Sequence, residues 1–169
     1  MKKTFIFIFI LSVAITSLFA QKATKTAYVE LGGAGLASLN YDMRLMKKND
    51  GLGFRVGLGG FSINDGSYKT TALFVPLELN YLLGKDDKHF FELGAGATIV
   101  SVKERNTSND PYYNNSDDKF NSTFGHLYFG YRVQPKDGGF LFRAGLTPIF
   151  GKGYFIPYWA GVSFGYAFK

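Results

Sequence analysis

Phe90-Phe91-Glu92-Leu93-Gly94-Ala95-Gly96 sets one acid among apolar neighbours. Along an extended strand, successive side chains point to opposite faces, so Glu92 looks one way while Phe91 and Leu93 look the other. The figure recurs in Val29-Glu30-Leu31, Tyr41-Asp42-Met43, Met43-Arg44-Leu45, Phe54-Arg55-Val56, Leu77-Glu78-Leu79, Tyr131-Arg132-Val133 and Phe142-Arg143-Ala144. One face thereby gathers the acids Glu30, Asp42, Glu78 and Glu92 and the bases Arg44, Arg55, Arg132 and Arg143, in equal number. A balanced ionic face behind a greasy one suits a barrel with lipid outside and side chains filling the middle. In lipid the sheet must close, since an open edge leaves backbone groups unpaired. The expected fold is therefore all-β, a closed antiparallel up-and-down transmembrane β-barrel of eight strands.

The pattern and the turn residues place those strands at 26–35, 38–46, 52–61, 71–83, 89–102, 121–134, 139–150 and 157–168. Turns fall at Lys47-Lys48-Asn49-Asp50-Gly51, at Gly84-Lys85-Asp86-Asp87-Lys88 and at Pro135-Lys136-Asp137-Gly138. Longer polar connections are expected at 62–70 and 103–120. Several segments reach the roughly nine to eleven residues that cross a bilayer at a tilt. Glycines recur on the ionic face, among them Gly57, Gly94, Gly96, Gly130 and Gly145, and are expected to make room for the long arginines. Unpaired charge in a narrow lumen is costly, so Glu30, Glu78 and Glu92 are expected to pair with the four arginines. The lysines beyond the leader instead gather in turns, loops and termini.

Residues 1–20 read as a cleaved secretory signal peptide: Lys2 and Lys3, an apolar run from Phe5 to Leu11 extending to Phe19, and Ala20 at the cleavage position. The barrel domain is then 21–169. With no cysteine, disulfide staples, thiolate metal sites and a lipid-modified cysteine are excluded. The net charge of +6 is scattered and gives no footprint for nucleic acid. Eighteen Phe and eleven Tyr supply aromatics for membrane interfaces, and twenty-one Gly argue against long helices.

The segments Val29-Glu30-Leu31-Gly32-Gly33-Ala34-Gly35, Ser38-Leu39-Asn40-Tyr41 and Pro76-Leu77-Glu78-Leu79-Asn80-Tyr81-Leu82-Leu83-Gly84, with the 90–96 stretch, resemble the small outer-membrane β-barrel proteins of the OmpA/OmpX type. Within that group the chain is most similar to barrels of Bacteroidota. The closing Gly161-Val162-Ser163-Phe164-Gly165-Tyr166-Ala167-Phe168 resembles the terminal strand read by the barrel-assembly machinery, with Phe164, Tyr166 and Phe168 as the aromatic signal. Lys169 departs from the family pattern, which ends on the aromatic itself. The resemblance spans nearly all of 21–169. It implies a location in the outer membrane, short turns and both termini on the periplasmic side, contact with outer-membrane lipid and lipopolysaccharide, and engagement of the assembly machinery during biogenesis.

Candidate chemistry is sparse. Some outer-membrane barrels are lipid-modifying enzymes with a Ser–His–acid site, and here Ser122, His126 and Glu92 share the ionic face. Ser122 and His126 lie four residues apart on one strand, about 13 Å, beyond the reach of a nucleophile and its base. The histidine–x–serine arrangement is replaced by His126-Leu127-Tyr128. Asp110, Asp117 and Asp118 match no calcium-loop spacing. No catalytic residue, metal or cofactor is expected. Tyr112 and Tyr113 are candidates for recognising an extracellular partner, because loops on rigid scaffolds often carry function. The expected role is a non-enzymatic barrel with a filled lumen, structural or acting in recognition through its loops. Two alternatives stand beside it: a soluble secreted ligand-binding barrel with the apolar face inward, and an enzyme acting on outer-leaflet lipid.

Overall fold

The computed structural model of the protein describes residues 24–46, 48–65, 68–106 and 118–168. Its strands are β1 (Lys25–Gly32), β2 (Leu36–Arg44), β3 (Gly51–Asn64), β4 (Tyr68–Leu83), β5 (His89–Asn106), β6 (Asp118–Val133), β7 (Gly139–Leu146), β8 (Ile149–Gly151), β9 (Tyr154–Ile156) and β10 (Ala160–Phe168). All pair antiparallel, in the order β5-β4-β3-β2-β1-β10-β7-β6, and β5 pairs with β6 to close the ring. Eight strands thus make the wall, while β8 and β9 form a small hairpin beside β6. The leader at 1–20 lies outside the described residues.

Alternation decides which way each strand faces. Glu30, Asp42, Arg44, Arg55, Glu78, Glu92, Arg132 and Arg143 are all buried, whereas Leu31, Phe54, Leu77, Leu79, Phe91 and Phe164 are exposed. The apolar face is the outside. That overturns the soluble ligand-binding alternative, which needs the aromatics within. In water such a surface would cost about 25 cal/mol for each Å² of apolar area left exposed, and acyl chains remove that cost.

The outer surface is zoned. Near the short turns the outer positions carry Tyr41, Phe54, Tyr81, Phe91, Tyr131, Phe140, Tyr166 and Phe168, a girdle suited to a membrane interface. Val29, Leu31, Leu39, Val56, Leu58, Leu77, Ala95, Ala97 and Val162 form the aliphatic belt above it. The turns themselves are polar. The backbone amide of His89 donates to Asp86 Oδ1 at 2.7 Å and that of Lys88 at 3.1 Å, and these bonds hold the Asp86 carboxyl below its ordinary range. His89, at the start of β5, stacks its ring on Tyr131 with centroids 5.9 Å apart.

The largest departures from the expected boundaries are on the opposite side. β3 runs on to Asn64 and β4 begins at Tyr68, so most of the connection expected at 62–70 is paired strand. β5 continues to Asn106 and β6 starts at Asp118, which takes both ends of the expected 103–120 loop into the sheet. The four strands β3–β6 therefore project beyond the wall as an extended sheet. Alternating apolar residues mark a strand only where one face meets lipid or core. Past the bilayer both faces meet water, so the marker fades while the ladder of backbone bonds continues. The segment expected at 139–150 is interrupted only at Thr147 and Pro148: Ile149–Gly151 continues along β6 in the register of β7, with the Leu127 amide donating to the Pro148 carbonyl at 2.9 Å in between.

Candidate functional site

Two parts of the barrel could act: the lumen and the projecting sheet. Inward positions of the eight strands stack in layers along the axis. At the turn end, Asn49 folds into the mouth and its Nδ2 donates to the Asp87 carbonyl at 2.8 Å and the Gln134 carbonyl at 3.0 Å. Gln134 Nε2 donates back to Asn49 Oδ1 at 2.7 Å. Leu82, Phe90, Leu141 and Ala167, all buried, form an apolar layer on the same side.

The ionic layer follows in two linked parts. In the lower part Arg44 donates to Asp42 at 2.6 Å, and Asn80 bonds to both Asp42 and Arg44. Arg132 joins Asp42 at 3.2 Å to Glu92 at 3.3 Å and donates to Thr26 Oγ1 at 3.0 Å. In the upper part Arg55 meets Glu30 at 2.5 Å and Glu78 at 3.4 Å, with Asn40 Oδ1 accepting from its Nε at 2.9 Å. Arg143 is the hub. Its Nε meets Glu92 at 2.9 Å, one terminal nitrogen meets Glu30 at 2.7 Å and the other meets Glu78 at 2.8 Å. The Tyr128 ring lies under its guanidinium, 3.5 Å from carbon to centroid, and Tyr28 lies 5.9 Å away. Arg132 and Arg143 sit directly opposite across β6 and β7, a like-charge pair that alone would repel. Glu92 lies between them and binds both.

All eight charged residues singled out in the sequence meet in this network. The expected pairing differs in one respect: Arg44 binds Asp42 rather than a glutamate. Aspartate is the shorter acid, two residues away on the same face of β2. Sequence reading missed Tyr28, Tyr128, Asn40, Asn80, Thr26 and the Asn49–Gln134 latch. All but the latch were recoverable by parity with Glu30, Arg132, Asp42 and Glu78; the latch joins two turns and carries no such signal.

Glycine's role is broader than making room for arginine. At Gly53 an added Cβ would stand 2.0 Å from an Arg44 nitrogen, but at Gly96 it would meet the Leu77 carbonyl oxygen at 2.1 Å, and at Gly130 the Tyr128 hydroxyl at 2.5 Å. Tight backbone approach and inward tyrosines use the space as well. The Gly96→Ala variant is expected to lose about 1–3 kcal/mol of stability because a backbone oxygen cannot swing aside. Its urea midpoint in detergent should fall, and an unchanged midpoint would show that the wall yields there.

The far end of the lumen is closed by apolar packing. Ala72, Phe74 and Val100 are buried against Leu36, Val102 and Phe124. The 3₁₀ turn Gly33–Gly35 is buried in the same mouth, where Thr98 Oγ1 donates to the Ala34 carbonyl at 3.1 Å. Trp159 Nε1 donates to the Gly33 carbonyl at 2.7 Å and fastens the start of β10 to that turn.

No catalytic arrangement accompanies this packing among the described residues. His126 is buried with Nδ1 3.3 Å from Thr98 Oγ1 and Nε2 3.3 Å from Glu78, while Ser122 lies on the exposed end of β6. The structure brings His126 to Glu78 rather than to Glu92 and does not bring Ser122 to either. Tyr112 and Tyr113, with Asp110 and Asp117, lie outside the described residues. Phe164, Tyr166 and Phe168 share the outer face of β10, the strand that closes the ring onto β1.

No family model and no curated protein matches the chain. Solved structures do. The N-terminal β-barrel domain of Pseudomonas aeruginosa OprF aligns with a TM-score of 0.57 at 15% identity, over 88% of this chain and 98% of that one. A major outer membrane protein from Thermus thermophilus aligns at 0.54 and 14% identity, over 88% and 99%. Ail, the attachment invasion locus protein of Yersinia pestis, aligns at 0.53 and 12% identity, over 86% and 97%. With an apolar belt outside, an ionic lumen within and these likenesses in architecture, the chain has the fold of the small eight-stranded transmembrane barrels of the bacterial outer membrane.

Proposed function

We propose that the protein is a non-enzymatic outer-membrane barrel whose wall is a scaffold and whose working surface is the projecting sheet of β3–β6 with its loops. One observation carries this reading. The lumen is occupied from end to end by the Asn49–Gln134 latch, the four-acid, four-arginine network and the apolar cap at Phe74 and Val100. A filled lumen offers neither a path for solutes nor a cleft for substrate. What remains to meet the outside is the sheet, and Tyr112 and Tyr113, which follow β5 in the sequence, stay the candidates for recognition.

The same proposal assigns 1–20 as a removable secretory leader and Phe164, Tyr166 and Phe168 as the signal for the barrel-assembly machinery. It places the short turns in the periplasm and β3–β6 outside the cell. The test is direct. The protein should fractionate with the outer membrane, change gel mobility on heating, and give no large, stable single-channel current in planar bilayers. A steady current would refute the filled lumen. Release into the soluble periplasm would refute the membrane location. Altered lipid A on deletion or overexpression, seen by mass spectrometry, would favour the enzyme reading instead.

A further inference from the structure

The projecting sheet rises on one side of the mouth only. β2 accompanies β3 as far as Ser38 opposite Gly59, and β3 runs on to Asn64. β8 accompanies β6 at Gly125 and His126, and β6 extends beyond them to Asp118. Its two faces differ. On the outward side Ser62, Thr71, Lys103 and Lys119 stand level across the four strands, all polar. The face that continues the lumen is apolar at the same height. Phe61, Ala72, Val102 and Phe120 form one row across it. Phe61 stacks on Phe74 with centroids 6.1 Å apart, and Ile63 follows Phe61 on the same face. Phe61, Ile63 and Phe120 leave 42%, 61% and 64% of their surface uncovered.

These rings do not face lipid. On β4 the outward apolar positions run from Leu83 up to Leu73, a length that covers the roughly nine to eleven residues crossing the hydrocarbon layer. The row at Ala72 begins where that run ends, and it looks over the mouth, away from the acyl chains. A contiguous apolar patch left in water marks a docking surface. The next row on the same face is Ile63, Thr70, Glu104 and Asp118. Glu104 and Asp118 are directly opposite each other and exposed. Like charges so placed destabilise a sheet. A cation brought by a partner would relieve the repulsion.

We infer that this face docks a basic, amphipathic polypeptide, with apolar side chains of the partner on Phe61, Ile63 and Phe120 and one of its lysines or arginines between Glu104 and Asp118. Charge complementarity selects the class. An anionic lipid or a soluble polyanion would bring like charge to the two carboxylates. A neutral polysaccharide supplies neither a cation nor apolar side chains. A polypeptide can carry both within one short segment, an apolar stretch that ends in a basic residue. The inference rests on the reading that β3–β6 stand outside the cell, and it gives that working surface a partner of definite chemistry.

The test uses the full barrel in lipid nanodiscs, with empty nanodiscs as background and fluorescence anisotropy as the readout. The probe is a labelled synthetic peptide that alternates leucine and serine and ends in a pair of arginines. One control peptide carries glutamates in place of the arginines, and another carries serines in place of the leucines. The wild type should bind the probe at least about tenfold more tightly than either control. The E104Q/D118N variant should bind it at least about fivefold more weakly at low salt, with a smaller dependence on salt. The F61S/I63S/F120S variant should bind at least about tenfold more weakly. The heat-dependent gel shift of each variant reports that its barrel is intact. Equal binding of the glutamate peptide or of the serine peptide overturns the inference, and so does an intact E104Q/D118N barrel that binds like wild type. Labelling of Lys119 on intact cells by a membrane-impermeant amine reagent reads the placement separately. A labelled Lys119 with no peptide binding sinks this inference alone, whereas an unlabelled Lys119 sinks the placement outside the cell.

Discussion

Replacing Arg143 with methionine is expected to cost about 3–5 kcal/mol of folding stability, the penalty of stranding buried charge. The side chain touches Glu30, Glu78 and Glu92 at once, and none of the three is exposed. Without it Glu30 and Glu78 share Arg55 as their one guanidinium, with only His126 beside Glu78 and the Ser163 hydroxyl beside Glu30, while Glu92 keeps Arg132 at 3.3 Å. The Tyr128 ring also loses the cation that lies 3.5 Å above it. Arg44 is a fair comparison, because it meets a single acid, Asp42, which retains Arg132. Arg44→Met should therefore be the milder change. Urea titrations of refolded protein, followed by the heat-dependent gel shift, would rank the two. Equal losses would mean that the hub carries no special weight. Adding Glu92→Leu to an Arg143→Leu change should restore part of the loss, since the two changes together remove one charge of each sign. The restoration should be incomplete, because Glu30 and Glu78 remain short of a partner.

Placing arginine on the outer wall should be nearly as damaging, and its effect should follow depth. Leu79 points outward near the middle of the apolar run on β4, and 54% of its surface is uncovered by protein. Leu79→Arg is expected to cost about 2–4 kcal/mol at the bilayer midplane, falling to about 0–1 kcal/mol near an interface. Leu73→Arg, at the edge of the belt, should be tolerated. Denaturation of the two variants in liposomes gives the comparison. A Leu79→Arg protein as stable as wild type would mean that this wall does not face hydrocarbon.

Much of the architecture was legible because the outer wall and the lumen impose opposite demands on adjacent residues. Glu78 between Leu77 and Leu79, or Arg143 between Phe142 and Ala144, has one reading in a strand that separates lipid from a packed interior. That gave eight crossing strands, their faces and the eight members of the ionic network. Three things lay beyond this signal. The ends of β3, β4, β5 and β6 sit in water, where Ser62, Thr70 and Lys119 carry no mark of strand. The short strand β9 folds back on Ile149–Gly151, a pairing that local pattern does not encode. The partner of each charge depends on side-chain length and barrel stagger, and so Arg44 went to Asp42.

The ionic network also bears on how the barrel is made. Arg143 and Glu30 are 113 residues apart, and Arg132 and Asp42 are 90 apart. Neutrality inside therefore arrives late, when the last strand meets the first. A half-built wall would carry orphan charges at membrane depth, an arrangement too costly to persist. Completion of the ring thus works as its own proofreading step: an intermediate missing either end has no comfortable resting place in the bilayer, and only the finished cylinder does.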